Sequence, residues 1–126
     1  MHDAEGLLKG LRMVVIDDNY LLATSVASVL EFAGGNVLAT LPSLDDALHY
    51  FSAGPGVDAV VLDVDLAGSP SYPIAELLDQ NGIPFLFVTG YDSHAIDERF
   101  RERMVCMKPV SPDLLCMAIA RLCGRS

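Results

Sequence analysis

The sequence predicts an α/β fold, a five-stranded parallel sheet wound on both faces by helices. Three observations carry that expectation. Apolar runs alternate with amphipathic stretches along the 126 residues, the pattern of strands that each feed a covering helix. The third apolar run, "DAVVLD", has no polar alternation, as a strand buried on both faces requires. Cap and breaker residues then punctuate the junctions, with Gly34-Gly35, Ser43, Ser111-Pro112 and Gly124 falling where helices should begin or stop.

Each element has its own reason. "RMVVID" is strand one, three branched apolar residues closed by an acid. "NYLLATSVASVLEFA" is helix one, with Leu22, Val26, Val29 and Leu30 on one face. "NVLATL" is a short second strand. "SLDDALHYFSA" is helix two, opened by Ser43 with Asp46 at capping-box spacing. After strand three, "YPIAELLDQN" is helix three, with Pro73 in a first turn that needs no amide there. "PFLFVT" is strand four, "HAIDERFR" a short and weak helix four, and "MVCM" strand five. "SPDLLCMAIARLC" is the last helix, capped by Ser111 with Pro112 at its first position. Phe85, Phe87 and Met117 are read as core residues.

Composition narrows the functional classes. The length suits one domain. We place an N-terminal extension over 1–11 and the domain over 12–126, leaving no DNA-binding or catalytic output domain. Apolar content of 52% against 20% charged residues makes the chain globular rather than disordered. Runs such as "AVVL" and "FLFV" are far too short to span a membrane, and the N-terminus lacks the basic and apolar regions of a secretory signal. A net charge of −9 argues against nucleic acid, whose phosphates must be neutralised by Lys and Arg. Cys106, Cys116 and Cys123 are odd in number and form no C-x-x-C pair. They read as buried thiols in a reducing cytoplasm.

The chemistry collects at one edge. In an open parallel sheet, ligands bind outside the carboxyl ends of the strands. Those ends hold Asp17 and Asp18 after strand one and Asp63 after strand three. Thr89 follows strand four and Lys108 follows strand five. Adjacent buried acids repel each other and cost desolvation, so something must offset them. Three carboxylates suit Mg²⁺ (or Mn²⁺), a hard cation with oxygen ligands. A lysine and a hydroxyl suit phosphoryl oxygens, and a carboxylate can be the nucleophile that accepts the phosphoryl group.

"VVIDDN", "VVLDVDLAG", "FLFVTGY" and "MKPV" occur in the order and approximate spacing of response-regulator receiver domains, and the resemblance covers residues 12 to 124. It implies a flavodoxin-like (βα)5 fold with strand order 2-1-3-4-5. Asp63 is then the phospho-acceptor. Asp18 and Asp63 are direct Mg²⁺ ligands with the backbone carbonyl of Asp65, and Asp17 binds through water. Thr89 and Lys108 hold phosphoryl oxygens, and the Lys108-Pro109 bond is cis. "PFLFVTGY" partly resembles a subgroup of stand-alone alphaproteobacterial receivers named for a Phe-Ala-Thr-Gly-Gly-Tyr signature. Val88 replaces its alanine, and only Gly90 separates Thr89 from Tyr91.

Two departures bear on output. Receivers carry Tyr or Phe three residues before the strand-five lysine, as a switch that follows the threonine, and that position is Val105 here. The stretch from Thr89 to Lys108 is short, so helix four should be reduced. Both put the usual output face formed by helix four, strand five and helix five in question. Thr89, Tyr91 and Val105 are the switch candidates, with Tyr91 replacing the missing ring.

Plainer readings stand beside these. Asp45-Asp46 is read as a solvated pair at a helix start. Asp65 either faces solvent or influences the attacking water. His2, His49 and His94 share no metal spacing and read as surface residues. The expectation is a stand-alone receiver, a signalling protein rather than an enzyme. It takes a phosphoryl group from a sensor histidine kinase or a histidine phosphotransfer protein and acts by contact with an unknown downstream protein. The rival from the enzyme class is a haloacid-dehalogenase-like phosphatase using "DVD", Asp63 and Asp65. In that superfamily the D-x-D comes early and the acid pair last, the reverse of the order here. A binding module without phosphorylation is the third reading, weakened by the complete set of five groups.

Overall fold

The computed structural model describes residues 6–90 and 96–125, and within them the apolar runs form one parallel sheet. The elements are β1 (Arg12–Ile16), α1 (Tyr20–Phe32), β2 (Asn36–Leu41), α2 (Leu44–Ser52), β3 (Ala59–Asp63), the two-residue strands β4 (Asp65–Leu66) and β5 (Ser69–Pro70), α3 (Tyr72–Gln80), β6 (Phe85–Thr89), a 3₁₀ turn (Glu98–Phe100), β7 (Val105–Met107) and α4 (Pro112–Leu122). The sheet order is β2-β1-β3-β6-β7, every pair parallel, which is the expected 2-1-3-4-5 with β6 and β7 as its fourth and fifth strands.

Helix starts follow the cap chemistry. The Asn19 side chain accepts the Leu22 amide at 3.0 Å, Ser43 accepts that of Asp46 at 3.1 Å, and Ser111 accepts that of Leu114 at 3.4 Å. After α1 the chain turns back tightly. A Cβ on Gly35 would displace the Met13 methyl and stand 3.1 Å from the Leu30 carbonyl oxygen, so glycine allows this close approach to β1 without moving the buried Met13.

The two faces of the sheet bury separate cores. Under α1 and α4 the buried set includes Met13, Val15, Val26, Leu30, Val61, Leu86, Leu115 and Ile119. Under α2 and α3 it includes Val14, Ile16, Leu62, Ile74, Leu78, Phe85, Phe87 and Phe100. Alternate residues of β1 and β3 thus serve opposite faces, as strand geometry demands. Residues 6–11 also join the first core. Leu8 is fully buried and its amide donates to the Ala33 carbonyl at 2.9 Å, while the Arg125 guanidinium donates to the Lys9 carbonyl at 2.6 Å.

The structure departs from expectation in four places. The stretch read as helix four is, among the described residues, a single 3₁₀ turn, Glu98–Phe100, fastened to α3 by side chains. Ion pairs Arg99–Glu76 and Arg103–Asp79 (2.8 Å) link the two segments. The Tyr72 ring stacks on Phe100 with centroids 5.4 Å apart and planes 14° from parallel. Second, Asp65–Leu66 pairs antiparallel with Ser69–Pro70 around Ala67-Gly68, both at positive φ. The sequence hides this hairpin because alanine stands where such a turn prefers Asn or Asp. Third, Met117 is 58% exposed on α4 and not in the core. Its neighbours Leu115, Cys116 and Ile119 face inward instead, so helix phase places Met117 outside. Fourth, of the three free thiols only Cys116 is fully buried, while Cys106 and Cys123 are half-buried.

Candidate functional site

β1 and β3 are neighbours, so the acids that follow them meet at the carboxyl edge of the sheet. Ligand oxygens of Asp17, Asp18 and Asp63 all lie within 4.8 Å of one another, with Asp17 and Asp63 buried and Asp18 exposed. Lys108 reaches in from beyond β7. Its Nζ donates to Asp63 Oδ2 at 3.1 Å and lies 3.5 Å from Asp17 Oδ2. The other Asp63 oxygen, Oδ1, accepts the Asp65 amide at 3.2 Å. The Lys108-Pro109 peptide is cis, as the resemblance implies.

The electrostatics follow from this crowding. Burial pushes the Asp63 carboxyl up to about 6, and repulsion from Asp17 adds to it. The Lys108 ammonium and the Asp65 amide pull the other way without cancelling them. Burial works against the charge on Lys108, yet Asp63 and Asp17 outweigh it and raise the lysine above its ordinary value. Among the described residues one cation faces three carboxylates, which leaves a net negative pocket. A hard divalent cation fits that donor set, with carboxylate oxygens from two strand ends and an open, exposed side at Asp18.

The remaining predicted residues fall in different places. Thr89 is buried at the end of β6, which is in register with β3 through Asp63 and Val88. Its hydroxyl donates to the Gly90 carbonyl at 3.2 Å, and its own carbonyl accepts the Lys108 amide at 2.8 Å. The backbone of Thr89 therefore positions the lysine while its hydroxyl stays outside the acid cluster. Asp65 turns its side chain to solvent, and only its amide contacts Asp63. Val105 lies opposite Phe87 on the edge strand and is 36% exposed, a surface side chain with no ring to move. Tyr91 falls outside the described residues.

Asn19 was given no role beforehand. Its amide donates to Asp17 Oδ1 at 2.9 Å while its side chain caps α1, so it fixes the buried acid against the helix start. The signal was present, since Asn directly after an acid pair and before an apolar helix is a cap pattern.

No family model matches the chain. Over 119 residues it is 29% identical to the sensor protein TorS of Escherichia coli, a match covering 90% of this chain and 13% of TorS. The solution structure of SdrG from Sphingomonas melonis Fr1 superposes with a TM-score of 0.80 at 35% identity, covering 92% of this chain and 97% of SdrG. The response regulator PhyR from Brucella abortus superposes with a TM-score of 0.76 at 26% identity, covering 94% of this chain and 50% of PhyR. This chain therefore spans one part of TorS and half of PhyR, but nearly all of SdrG. Among the described residues no helix is long and apolar enough to cross a membrane.

Proposed function

The chain belongs to the response-regulator receiver domains, and from that premise we propose that Asp63 accepts a phosphoryl group from a phosphohistidine of a sensor kinase or phosphotransfer protein. The observation that carries this reading is Lys108 bridging Asp63 and Asp17 beside a cluster of three acids. An Asp63 oxygen attacks phosphorus, the P–N bond to the imidazole breaks, and an acyl phosphate forms on the carboxylate. Mg²⁺ would be held by Asp18, Asp63 and the Asp65 carbonyl, with Asp17 through water, and would neutralise charge on the transferring group.

The chain's own residues do the rest. Lys108 already sits at the acceptor oxygen and would follow the added charge onto a phosphoryl oxygen. Thr89 would exchange its bond to Gly90 for another phosphoryl oxygen. Burial and the Asp17 charge raise the metal-free Asp63 carboxyl above the ordinary aspartate range, and a cation held beside it would favour the ionised form that attacks. The phosphorylated surface would then signal, or relay the group, by protein contact.

Intact-mass measurement tests the assignment. Wild type with acetyl phosphate and Mg²⁺ should gain one phosphoryl mass, and Asp63→Asn should gain none. Equal labelling of the variant overturns the acceptor. Turnover of a chromogenic phosphate ester without accumulation of phosphoprotein would instead favour the phosphatase reading.

A further inference from the structure

We propose that Tyr72 couples the state of Asp63 to the segment 96–103, in place of an aromatic ring on the fifth sheet strand. The coupling rests on the reading of Asp63 as acceptor, and two contact routes reach Tyr72 from it. Along the backbone, Val64 follows Asp63 directly. Its carbonyl accepts the Ser71 amide at 2.8 Å, and its amide donates to the Val88 carbonyl at 3.1 Å. The residue after the acceptor is thus tied to the start of α3 and to the residue before Thr89. Through side chains, the Tyr72 ring meets Phe87 edge-on at 6.2 Å, two positions before Thr89.

On its far side Tyr72 holds the 3₁₀ turn. Its hydroxyl accepts the Asp97 amide at 2.7 Å, and its ring stacks on the buried Phe100. One side chain therefore touches β6 and both ends of the 97–100 turn. Val105, the position opposite Phe87 on β7, is short and on the surface and makes no such bridge.

Ser71 stands at the cap position of α3 but makes no side-chain cap bond, and its hydroxyl is fully buried with no hydrogen-bond partner among the described residues. The next residue but one, Pro73, has no amide to offer. The turn itself has a few short-range amide bonds, such as Phe100 to Asp97 at 2.8 Å, and no helical ladder. Its position depends on what α3 and β6 present to it, since Phe100 packs on Tyr72, Phe85 and Phe87. A change at Asp63 that moves Val64 carries Ser71 and Tyr72 with it, and the Asp97 amide keeps or loses its acceptor accordingly.

Residue-resolved amide exchange on the full chain tests this, with Tyr72→Phe, which keeps the ring and removes the hydroxyl. Without phosphodonor, the Asp97 amide of Tyr72→Phe should exchange about fivefold faster, the factor for one lost net hydrogen bond, while amides around Ile119 are unchanged. With acetyl phosphate and Mg²⁺, wild type should change its exchange across 97–103. Tyr72→Phe should gain the same phosphoryl mass and show little of that change. Phe100→Leu, which keeps the hydroxyl and removes the stack, should lose the same response. Wild-type exchange at Asp97 in Tyr72→Phe, or an undiminished donor response in a labelled variant, overturns the coupling alone. A wild type that takes no phosphoryl mass overturns the acceptor reading and the coupling with it.

Discussion

The two faces of this sheet are packed by different means. Under α1 and α4 the buried side chains are aliphatic, with no ring among them. Under α2 and α3 the core carries Phe51, Phe85, Phe87 and Phe100, with Tyr50 and Tyr72 at its margin. The difference tracks the covering elements. Among the described residues the first face has helices of 13 and 11 residues, whereas the second has two helices of nine residues and a 3₁₀ turn. Where the described part of the β6–β7 connection is only a 3₁₀ turn, rings fill the volume. Phe85 and Phe87 meet at 5.3 Å, and Phe87 and Phe100 at 5.8 Å. Ring volume stands in for helix length.

The sharpest way to break that comparison is to remove one large side chain from each face. Phe87→Ala should cost about 3–5 kcal/mol and Leu30→Ala about 2–5 kcal/mol in denaturant melts. The pattern separates them better than the totals. Leu30→Ala should lower amide protection evenly, while Phe87→Ala should also release 97–103 below the new global stability. Equal, uniform loss in both would mean that the rings do not serve the short crossover.

A second test asks whether the acid edge, where both faces end, is braced by metal. Mg²⁺ at a hundredfold excess over its dissociation constant should stabilise wild type by about 2.7 kcal/mol. Asp18→Asn should raise the metal-free melting temperature by removing a repelling charge, and should lose most of the Mg²⁺ gain. An Asp18→Asn protein that is less stable without metal, yet gains fully from it, would place the cation elsewhere.

The pH dependence is a smaller effect. Asp63 is raised in the folded state to about 6, so its contribution to metal-free stability is fully present below about 4 and is lost as pH rises to about 6. The stability of wild type relative to Asp63→Asn should therefore fall across that window and flatten above it. A difference that climbs with pH would mean the Lys108 contact outweighs burial and the Asp17 charge. Smallest of all are the exposed ion pairs of the second face. Arg99→Gln and Arg103→Gln should each change stability by less than about 1 kcal/mol, with the loss shrinking in salt.

How much was legible in the sequence follows the same division. The strands could be read because continuous apolar runs leave little else for a chain to do. Ser43 and Ser111 revealed where α2 and α4 begin, whereas the Asn19 cap of α1 emerges only in the structure. Asp17, Asp18, Asp63 and Lys108 could be placed at one edge because parallel topology sends every strand end there. The Ala67-Gly68 hairpin escaped because its turn lacks the usual residues. The fate of 96–103 escaped too, because "DERFRER" has helix-forming composition. What keeps its described part to a turn is Phe100 stacking on Tyr72 and arginines reaching Glu76 and Asp79, contacts between residues more than twenty positions apart. Thr89 could be foreseen by position but not by the direction of its hydroxyl, which depends on the neighbouring carbonyl.

The Arg125 contact to the Lys9 carbonyl has a practical meaning. It brings the segment before β1 and the segment after α4 together at the amino edge of the sheet, away from Asp63 and Lys108. A dye attached to the exposed side chain of Lys9 would sit on the far side of the sheet from the carboxylates, where it could report on the molecule without crowding them.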